Sequence, residues 1–208
     1  MTVEAREARR EELIDAAVRA IRTGGGEVSM EAVAAEAGIT KPIVYRHFGS
    51  RAGLCQAIAR RYGERLHAAL FASLAGSDDD GEEAFRRGID ACLSFMAEES
   101  PLFTFLSRQP DARGTLNALT RRLASEYADI FRPDLSGAGR DPRAADTWAH
   151  AVMGMVSAAA AWWIEAGADM PRPVLRDQLV DLIWNGYGGL HAGREAASVA
   201  VNKESERP

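Results

Sequence analysis

Two helix breaks, at Gly38 and Gly49, confine residues 29–48 to two very short helices. Ser29 and Thr40 are residue types that cap helix N-termini, and each precedes one of the two segments. Helices of this length are not stable alone in water, so packing against neighbouring elements must hold them in place. The stretch therefore predicts two short helices that pack closely around a tight turn at Gly38.

The small and apolar residues of this stretch fall where a helix-turn-helix needs them. Ala34 allows the two helices to cross closely, and Gly38 is free to take the positive φ that the turn requires. The apolar residues expected to lock the corner are Val33, Ala37, Ile39 and Val44. Because these requirements are met in register, the sequence predicts a helix-turn-helix.

The polar face of the second short helix carries groups that bind DNA in the major groove. Lys41 and Arg51 are expected to reach phosphates, as are the hydroxyls of Ser29 and Thr40 beside backbone N–H groups at helix starts. Tyr45 is expected to bridge phosphate and base. The candidate DNA-binding residues are Ser29, Thr40, Lys41, Pro42, Tyr45, Arg46, His47 and Arg51. The alternative is a buried helical corner with a solvated polar face.

The charge distribution is compatible with DNA binding although the chain carries a net charge of −5. Residues 1–60 contain nine Lys or Arg and eight Asp or Glu, whereas residues 61–208 contain 16 and 22. The acidic excess therefore lies in the larger part of the chain. A DNA-binding surface needs a local cationic patch rather than a basic chain.

Residues 33–54, VAAEAGITKPIVYRHFGSRAGL, resemble the DNA-binding motif of the TetR family of bacterial repressors. That motif has Ala-Gly, Ile or Val, Ser or Thr, Lys, Tyr-x-x-Phe and Ser-Lys-x-x-Leu. The matching residues are Ala37, Gly38, Ile39, Thr40, Lys41, Tyr45, Phe48, Ser50, Arg51 and Leu54. Arg51 stands where the motif usually has Lys. The positive charge is kept, but the geometry of a phosphate contact differs between the two side chains. The resemblance covers about residues 8–60, and the remainder fits by helix number and order.

The rest of the chain also has helical spacing, because apolar residues recur three and four positions apart and strand-like alternation is nearly absent. Hydrophobic residues make up 47% of the sequence, which excludes wholesale disorder. Further helices are predicted over residues 5–23, 51–74, 82–98, 102–108, 112–131, 143–166 and 174–191. Loops are predicted over residues 76–81 and 133–142.

This pattern predicts an all-α fold in which a long helix joins an N-terminal three-helix helix-turn-helix domain to a helical ligand-binding and dimerisation domain. The expected DNA-binding domain is residues 5–50. The expected effector-binding and dimerisation domain is residues 51–195, and residues 196–208 are expected to form a disordered tail.

The resemblance implies that the larger domain dimerises through its last two long helices. Apolar residues at helical spacing there agree, although such a wide stripe is also compatible with a core alone. Candidate interface residues are Met155, Ala159, Trp162, Leu182, Ile183 and Gly186. A two-fold dimer would present two recognition helices about 34 Å apart, or somewhat more, to a palindromic operator.

The resemblance also implies a cavity for a small effector in the larger domain. Bulky apolar residues are candidates for its lining, with ordinary core packing as the alternative for each. The candidate ligand-binding residues are Phe95, Phe103, Leu106, Tyr127, Trp148 and Trp163. With so few polar residues among them, an apolar or aromatic effector is expected.

Catalytic and metal-binding functions are not expected, and no cofactor is expected. The four histidines are scattered, and no HExxH, GxSxG, phosphate-binding or dinucleotide-binding fingerprint occurs. The two cysteines, Cys55 and Cys92, lack CxxC spacing and are expected to be small buried residues.

The sequence contains neither an apolar run long enough for a confident membrane span nor a secretory signal at its start, so the cytoplasm is the expected location and no membrane partner is expected. The leading hypothesis is a ligand-responsive repressor that binds double-stranded DNA. An activator, or a global DNA-binding protein without an effector, is the alternative.

Overall fold

The computed structural model describes residues 2–24, 28–74, 81–137 and 139–186. These residues form nine α-helices and no strand, which confirms the predicted all-α class. The helices are α1 Val3–Gly24, α2 Met30–Glu36, α3 Lys41–Phe48, α4 Arg51–Leu74, α5 Gly81–Glu98, α6 Ser100–Ser107, α7 Pro110–Gly137, α8 Ala144–Glu165 and α9, described over residues 172–186.

The end of α7 differs from the sequence prediction, which placed it at Phe131 and put a polar connection after it. The helix instead continues through Pro133 to Gly137. Proline has no N–H to donate to the carbonyl of Asp129, but Asp129 is exposed and water can satisfy that carbonyl. Leu135 is buried, so the extra turn places an apolar side chain out of water. Burial therefore outweighs the missing hydrogen bond.

Some sequence predictions concern residues that lie outside the described ranges. They concern the second and third glycines of the run 24–26, most of the acidic loop at 76–81, the end of the last helix at 187–191, and the tail at 196–208.

The first compact unit of the chain consists of residues 2–69 and 95–154. Its core joins α1, α2 and α3 to the first half of α4 and to α6. The most deeply buried members of this core include Leu13, Ile14, Ile21, Val33, Val44, Ile58 and Leu106. Burial of one side of α2 and α3 in this core supplies the support that such short helices require.

The second compact unit contains residues 70–94 and, within the described chain, residues 155–186. Phe85 of α5, Trp163 of α8 and Leu179 of α9 are among its buried side chains. An ion pair joins α5 to α9, with Arg86 Nη1 2.7 Å from Asp177 Oδ1. In the described ranges, no helix is both long enough and apolar enough to cross a membrane.

Candidate nucleic-acid interface

The turn between α2 and α3 has the conformation that the sequence predicted. Gly38 has φ of 64°, in the left-handed region that favours glycine. The backbone N–H of Ile39 donates to the Ala34 carbonyl at 2.9 Å, and the N–H of Gly38 donates to the Ala35 carbonyl at 3.1 Å. These bonds satisfy carbonyls at the end of α2 and reverse the chain within a few residues.

Two of the three helix starts around this turn, those of α2 and α4, have a serine side-chain cap. Ser29 Oγ accepts a hydrogen bond from the Ala32 N–H at 3.1 Å, and Ser50 Oγ accepts one from the Gly53 N–H at 3.1 Å. The predicted side-chain cap at Thr40 is wrong, because its hydroxyl makes no capping bond. Pro42 has no N–H to donate, and the Ile43 N–H donates to the Thr40 backbone carbonyl at 2.9 Å instead. The Thr40 hydroxyl therefore stays available to an acceptor, whereas the Ser29 hydroxyl also donates a hydrogen bond to the Glu31 carboxylate.

The recognition helix α3 has a buried side and an exposed side. Val44 and Phe48 are buried in the core, whereas His47 is half-buried. The other candidate DNA-binding residues are exposed, and they are Ser29, Thr40, Lys41, Pro42, Tyr45, Arg46 and Arg51. Thr40 and the exposed side of α3 thus present a hydroxyl, two cations and a phenol.

The first turn of α4 lies very close to the end of α3. A Cβ atom on Gly53 would be 2.1 Å from the Phe48 carbonyl oxygen, so a glycine is needed at this contact. This approach places the exposed Arg51 directly beside α3. The position of Arg51 next to the recognition helix therefore depends on Gly53.

Lys41 is paired with Glu31, a residue that sequence reasoning did not identify as part of the site. Lys41 Nζ and Glu31 Oε1 form an exposed ion pair, and the ammonium lies 5.9 Å from the centroid of the Tyr45 ring. Their hydrogen bond lowers the pKa of Glu31 and raises the pKa of Lys41. Both groups are therefore charged at neutral pH. A phosphate that binds Lys41 must compete with the Glu31 carboxylate.

The N-terminal part of α1 adds positive charge near α3. Burial lowers the pKa of His47, and the charges of Arg46, Arg6, Arg9 and Arg10 lower it further. Arg10 also lies over the Phe48 ring, 5.2 Å from its centroid. The three α1 arginines recur at helical spacing, which is the sequence signal that could have identified them. Arg9 and Arg10 also pair with Glu12 and Glu7, so the positive charge that α1 brings near the helix-turn-helix is partly neutralised.

The candidate effector residues lie in different surroundings. Phe95 and Leu106 are part of the first unit's core, and Phe103 packs against it partly buried. Tyr127 is buried, and burial raises its pKa to about 12. Trp148, in contrast, is 45% exposed, with the Arg140 guanidinium 5.8 Å from its ring centroid.

Trp163, the sixth candidate effector residue, belongs to the second unit. It is buried, and its indole N–H donates to the Met170 carbonyl at 2.8 Å. The structure therefore gathers Phe95, Phe103 and Leu106 around one core and places Trp148 at a surface.

The side chains of the candidate dimer residues are more exposed than those of ordinary core residues. Trp162 is 54% exposed and Met155 is 39% exposed, while Ala159 is half-buried between them along α8. The candidates on α9 are half-buried, and they are Leu182, Ile183 and Gly186.

The described residues hold no group of three or more His, Cys, Asp or Glu side chains that could bind a metal ion. Both cysteines are buried, as the sequence predicted. Burial raises the pKa of the Cys55 thiol and raises that of Cys92 to about 12. Both thiols are therefore protonated at neutral pH and are poor nucleophiles.

Comparison with known proteins identifies the same motif. The protein-family model for bacterial regulatory proteins of the tetR family matches residues 13–58. A second protein-family model, for the tetracyclin repressor-like C-terminal domain, matches residues 107–199. Together these matches include the helix-turn-helix and most of the C-terminal half.

Individual relatives are transcriptional regulators. An uncharacterized HTH-type transcriptional regulator of Mycobacterium tuberculosis is 28% identical over 184 residues, which are 88% of this chain and 78% of that protein. The HTH-type transcriptional activator FasR of Mycolicibacterium smegmatis is 22% identical over 192 residues, 89% of this chain and 84% of FasR.

A solved structure supports the same assignment. The TetR-like transcriptional regulator from Rhodococcus sp. RHA1 is 26% identical, with a TM-score of 0.63, and the match covers 91% of this chain and 99% of that one. The two family models and the regulators of similar sequence indicate the same family. The exposed polar face of α3 is consistent with its DNA-binding role. The chain belongs to the tetR family and is a DNA-binding transcriptional regulator with a helix-turn-helix.

Proposed function

We propose that this regulator is a repressor that binds a palindromic operator as a homodimer and leaves it when a small apolar or aromatic effector binds. The observation that carries the proposal is the exposed polar face of α3, which is held outward by burial of Val44 and Phe48. A helix supported in this way can enter the major groove without unfolding. Repression would follow because an occupied operator excludes the polymerase.

The proposed DNA contacts have distinct roles. Lys41, Arg51 and the hydroxyls of Ser29 and Thr40 bind phosphates and set the register of the protein on the duplex. Further contacts from α3 read the groove, and they come from Pro42, Tyr45, Arg46 and His47. Residues 5–50 form the proposed DNA-binding domain.

The proposed dimer uses α8 and α9. Trp148, Met155 and Trp162 follow one another at seven-residue spacing along α8, and each is exposed. Exposed tryptophans at such spacing favour a partner helix, because a helix returns nearly to the same face after seven residues. The candidate α9 residues add apolar surface, and a two-fold axis would place two copies of α3 on successive turns of DNA.

The proposed effector domain is residues 51–195. Apart from the exposed Trp148, its candidate lining residues are buried or half-buried and mostly aromatic, which favours an apolar or aromatic ligand. Such a ligand can release the protein from DNA only if it binds the free conformation more tightly than the DNA-bound conformation. Thermal-shift screening of the full chain with apolar and aromatic metabolites tests this part, with charged sugars and nucleotides as the comparison set. An absence of hits in the first set would contradict it.

Footprinting on the gene's own upstream region tests operator binding. We expect a protected palindrome, and we expect K41A/Y45A to weaken binding by roughly 30-fold or more. The matched control, R121A/I130A, removes an exposed cation and an exposed large side chain from α7 and should leave binding unchanged. Normal binding by a folded K41A/Y45A would contradict the proposed contacts.

Activation is the second candidate function, and similarity to the activator FasR favours it. In vitro transcription from the footprinted promoter separates the two. Repression predicts less transcript when protein is added and recovery with effector. An increase in transcript would establish activation and contradict the proposed repression.

A further inference from the structure

We propose that Arg108, at the turn between α6 and α7, binds a DNA phosphate outside the contacts of the helix-turn-helix. The turn borders a groove of about 750 Å³ that also reaches the proposed DNA-contacting surface. The inference rests on the DNA-binding activity and on the proposed orientation of α3 toward DNA. Its occupant is the phosphodiester backbone that continues past the recognition helix.

The walls of the groove come from two parts of the first unit. One wall contains proposed DNA contacts, which are Ser29, Tyr45 and Arg51. The other consists of Arg108, Gln109 and Pro110. The groove is therefore continuous with the proposed DNA interface, and a strand of DNA beside Arg51 passes next to this second wall.

The charges in the groove suit an anion. Arg51 and Arg108 are exposed, and within the described chain neither side chain has a carboxylate at ion-pair distance. Glu31 also lines the groove, but its carboxylate is paired with Lys41. Two guanidinium groups without a carboxylate partner that line one groove favour a phosphate through charge and hydrogen bonding.

The α6–α7 turn is held in place by the same core that supports the recognition helix. The N–H of Arg108 donates to the Phe105 carbonyl at 3.2 Å, and that of Gln109 donates to the Leu106 carbonyl at 3.1 Å. Phe105 and Leu106 are buried in the core that includes Val44. Arg108 is thus presented from a supported backbone, which lowers the entropy lost on binding.

Salt titration of DNA binding by the full chain tests the proposal. The logarithm of the affinity falls with the logarithm of salt concentration by about 0.9 per phosphate contact. We expect R108Q to make this slope shallower by about 0.9 for each bound protomer. Phosphate-ethylation interference should show one position per half-site that inhibits the wild type but not R108Q.

Two variants accompany R108Q. R121Q removes an exposed cation farther along α7 and should keep the wild-type slope and ethylation pattern. R51Q should lose a different phosphate position. If R51Q changes the salt slope and ethylation pattern but R108Q does not, this inference is overturned while the helix-turn-helix contacts are supported. If the wild type protects no DNA, both are overturned.

A free anion in the same groove is a distinguishable outcome. Inorganic phosphate serves as the probe in a thermal-shift assay of the wild type, R108Q and R121Q. If R108Q abolishes stabilisation by phosphate but leaves the DNA salt slope and ethylation pattern unchanged, the groove binds a small anion and the DNA proposal is wrong.

Discussion

Arg22 holds both carboxylate oxygens of Glu99 through one guanidinium nitrogen, with Nη2 2.6 Å from Oε1 and 2.7 Å from Oε2. Glu99 is buried at the junction of α5 and α6, and Arg65 of α4 donates a further hydrogen bond to it at 2.6 Å. Both arginines are partly exposed. The end of α1 is therefore tied to α4 and to the start of α6 by one buried acid.

Removing the two arginines should destabilise the protein more than removing the acid. R22Q/R65Q leaves a buried carboxylate without cations, and we expect a loss of about 3–5 kcal/mol in the free energy of unfolding. E99Q leaves two arginines that water can solvate, and we expect a loss of about 1–2 kcal/mol. Urea denaturation at one fixed protomer concentration measures both losses.

The triple variant R22Q/R65Q/E99Q serves as the control for this comparison. Because it removes the unpaired buried charge, it should be more stable than R22Q/R65Q. A triple variant that is less stable than the double variant would contradict the explanation and point to lost packing of the side chains.

The Glu31–Lys41 pair should restrain DNA binding. We expect E31Q to raise DNA affinity roughly two- to fivefold, because Lys41 then has no carboxylate to exchange for a phosphate. Fluorescence anisotropy with a labelled duplex measures the change. E36Q is the matched control, since it removes an α2 carboxylate that pairs with Arg19 at 2.7 Å instead. An equal rise in E36Q would show that general charge, rather than release of Lys41, is responsible.

His47 should titrate below its ordinary pKa of 6.5 in the free protein, as followed by NMR of its imidazole. Burial is the largest cause and the charge of Arg46 the next, so R46Q should raise the pKa without restoring it fully. A return of the pKa to 6.5 in R46Q would contradict the role of burial.

The same shift sets a pH dependence of stability. The unfolded chain binds more protons at this histidine than the folded chain does, so folding stability falls as pH drops below about 6.5 toward the lowered native pKa. H47Q should lack this component of the decline. Denaturation midpoints across that pH range measure it, and an identical decline in H47Q would argue against the assignment.

The proposed dimer makes a prediction about oligomeric state. W162R places a charge on the exposed face of α8, and we expect a monomer with weakened operator binding, because each half-site contact then acts alone. Light scattering coupled to size-exclusion chromatography gives the mass. I130R changes an apolar residue on α7 that is 46% exposed, and it should keep the wild-type mass. A dimeric W162R with normal affinity would exclude Trp162 from the interface.

Local sequence signals accounted for much of the fold and for the helix-turn-helix. The cap at Ser29 and the turn at Gly38 depend on residues within a few positions of each other, so their types and spacing indicated the structure directly. Helical spacing likewise indicated an all-α chain. The end of α7 did not follow from such signals, because the burial of Leu135 outweighs the local effect of Pro133.

Only the tertiary structure decided which charged groups meet. Glu31 and Lys41 are ten residues apart, and Arg22 and Glu99 are 77 apart, so their pairing depends on how the helices pack. The same holds for the groove that brings Arg108 near Arg51 and for the exposure of Trp148. Sequence spacing reports which residues share a helix face, whereas the neighbour across that face is determined by packing of the whole core.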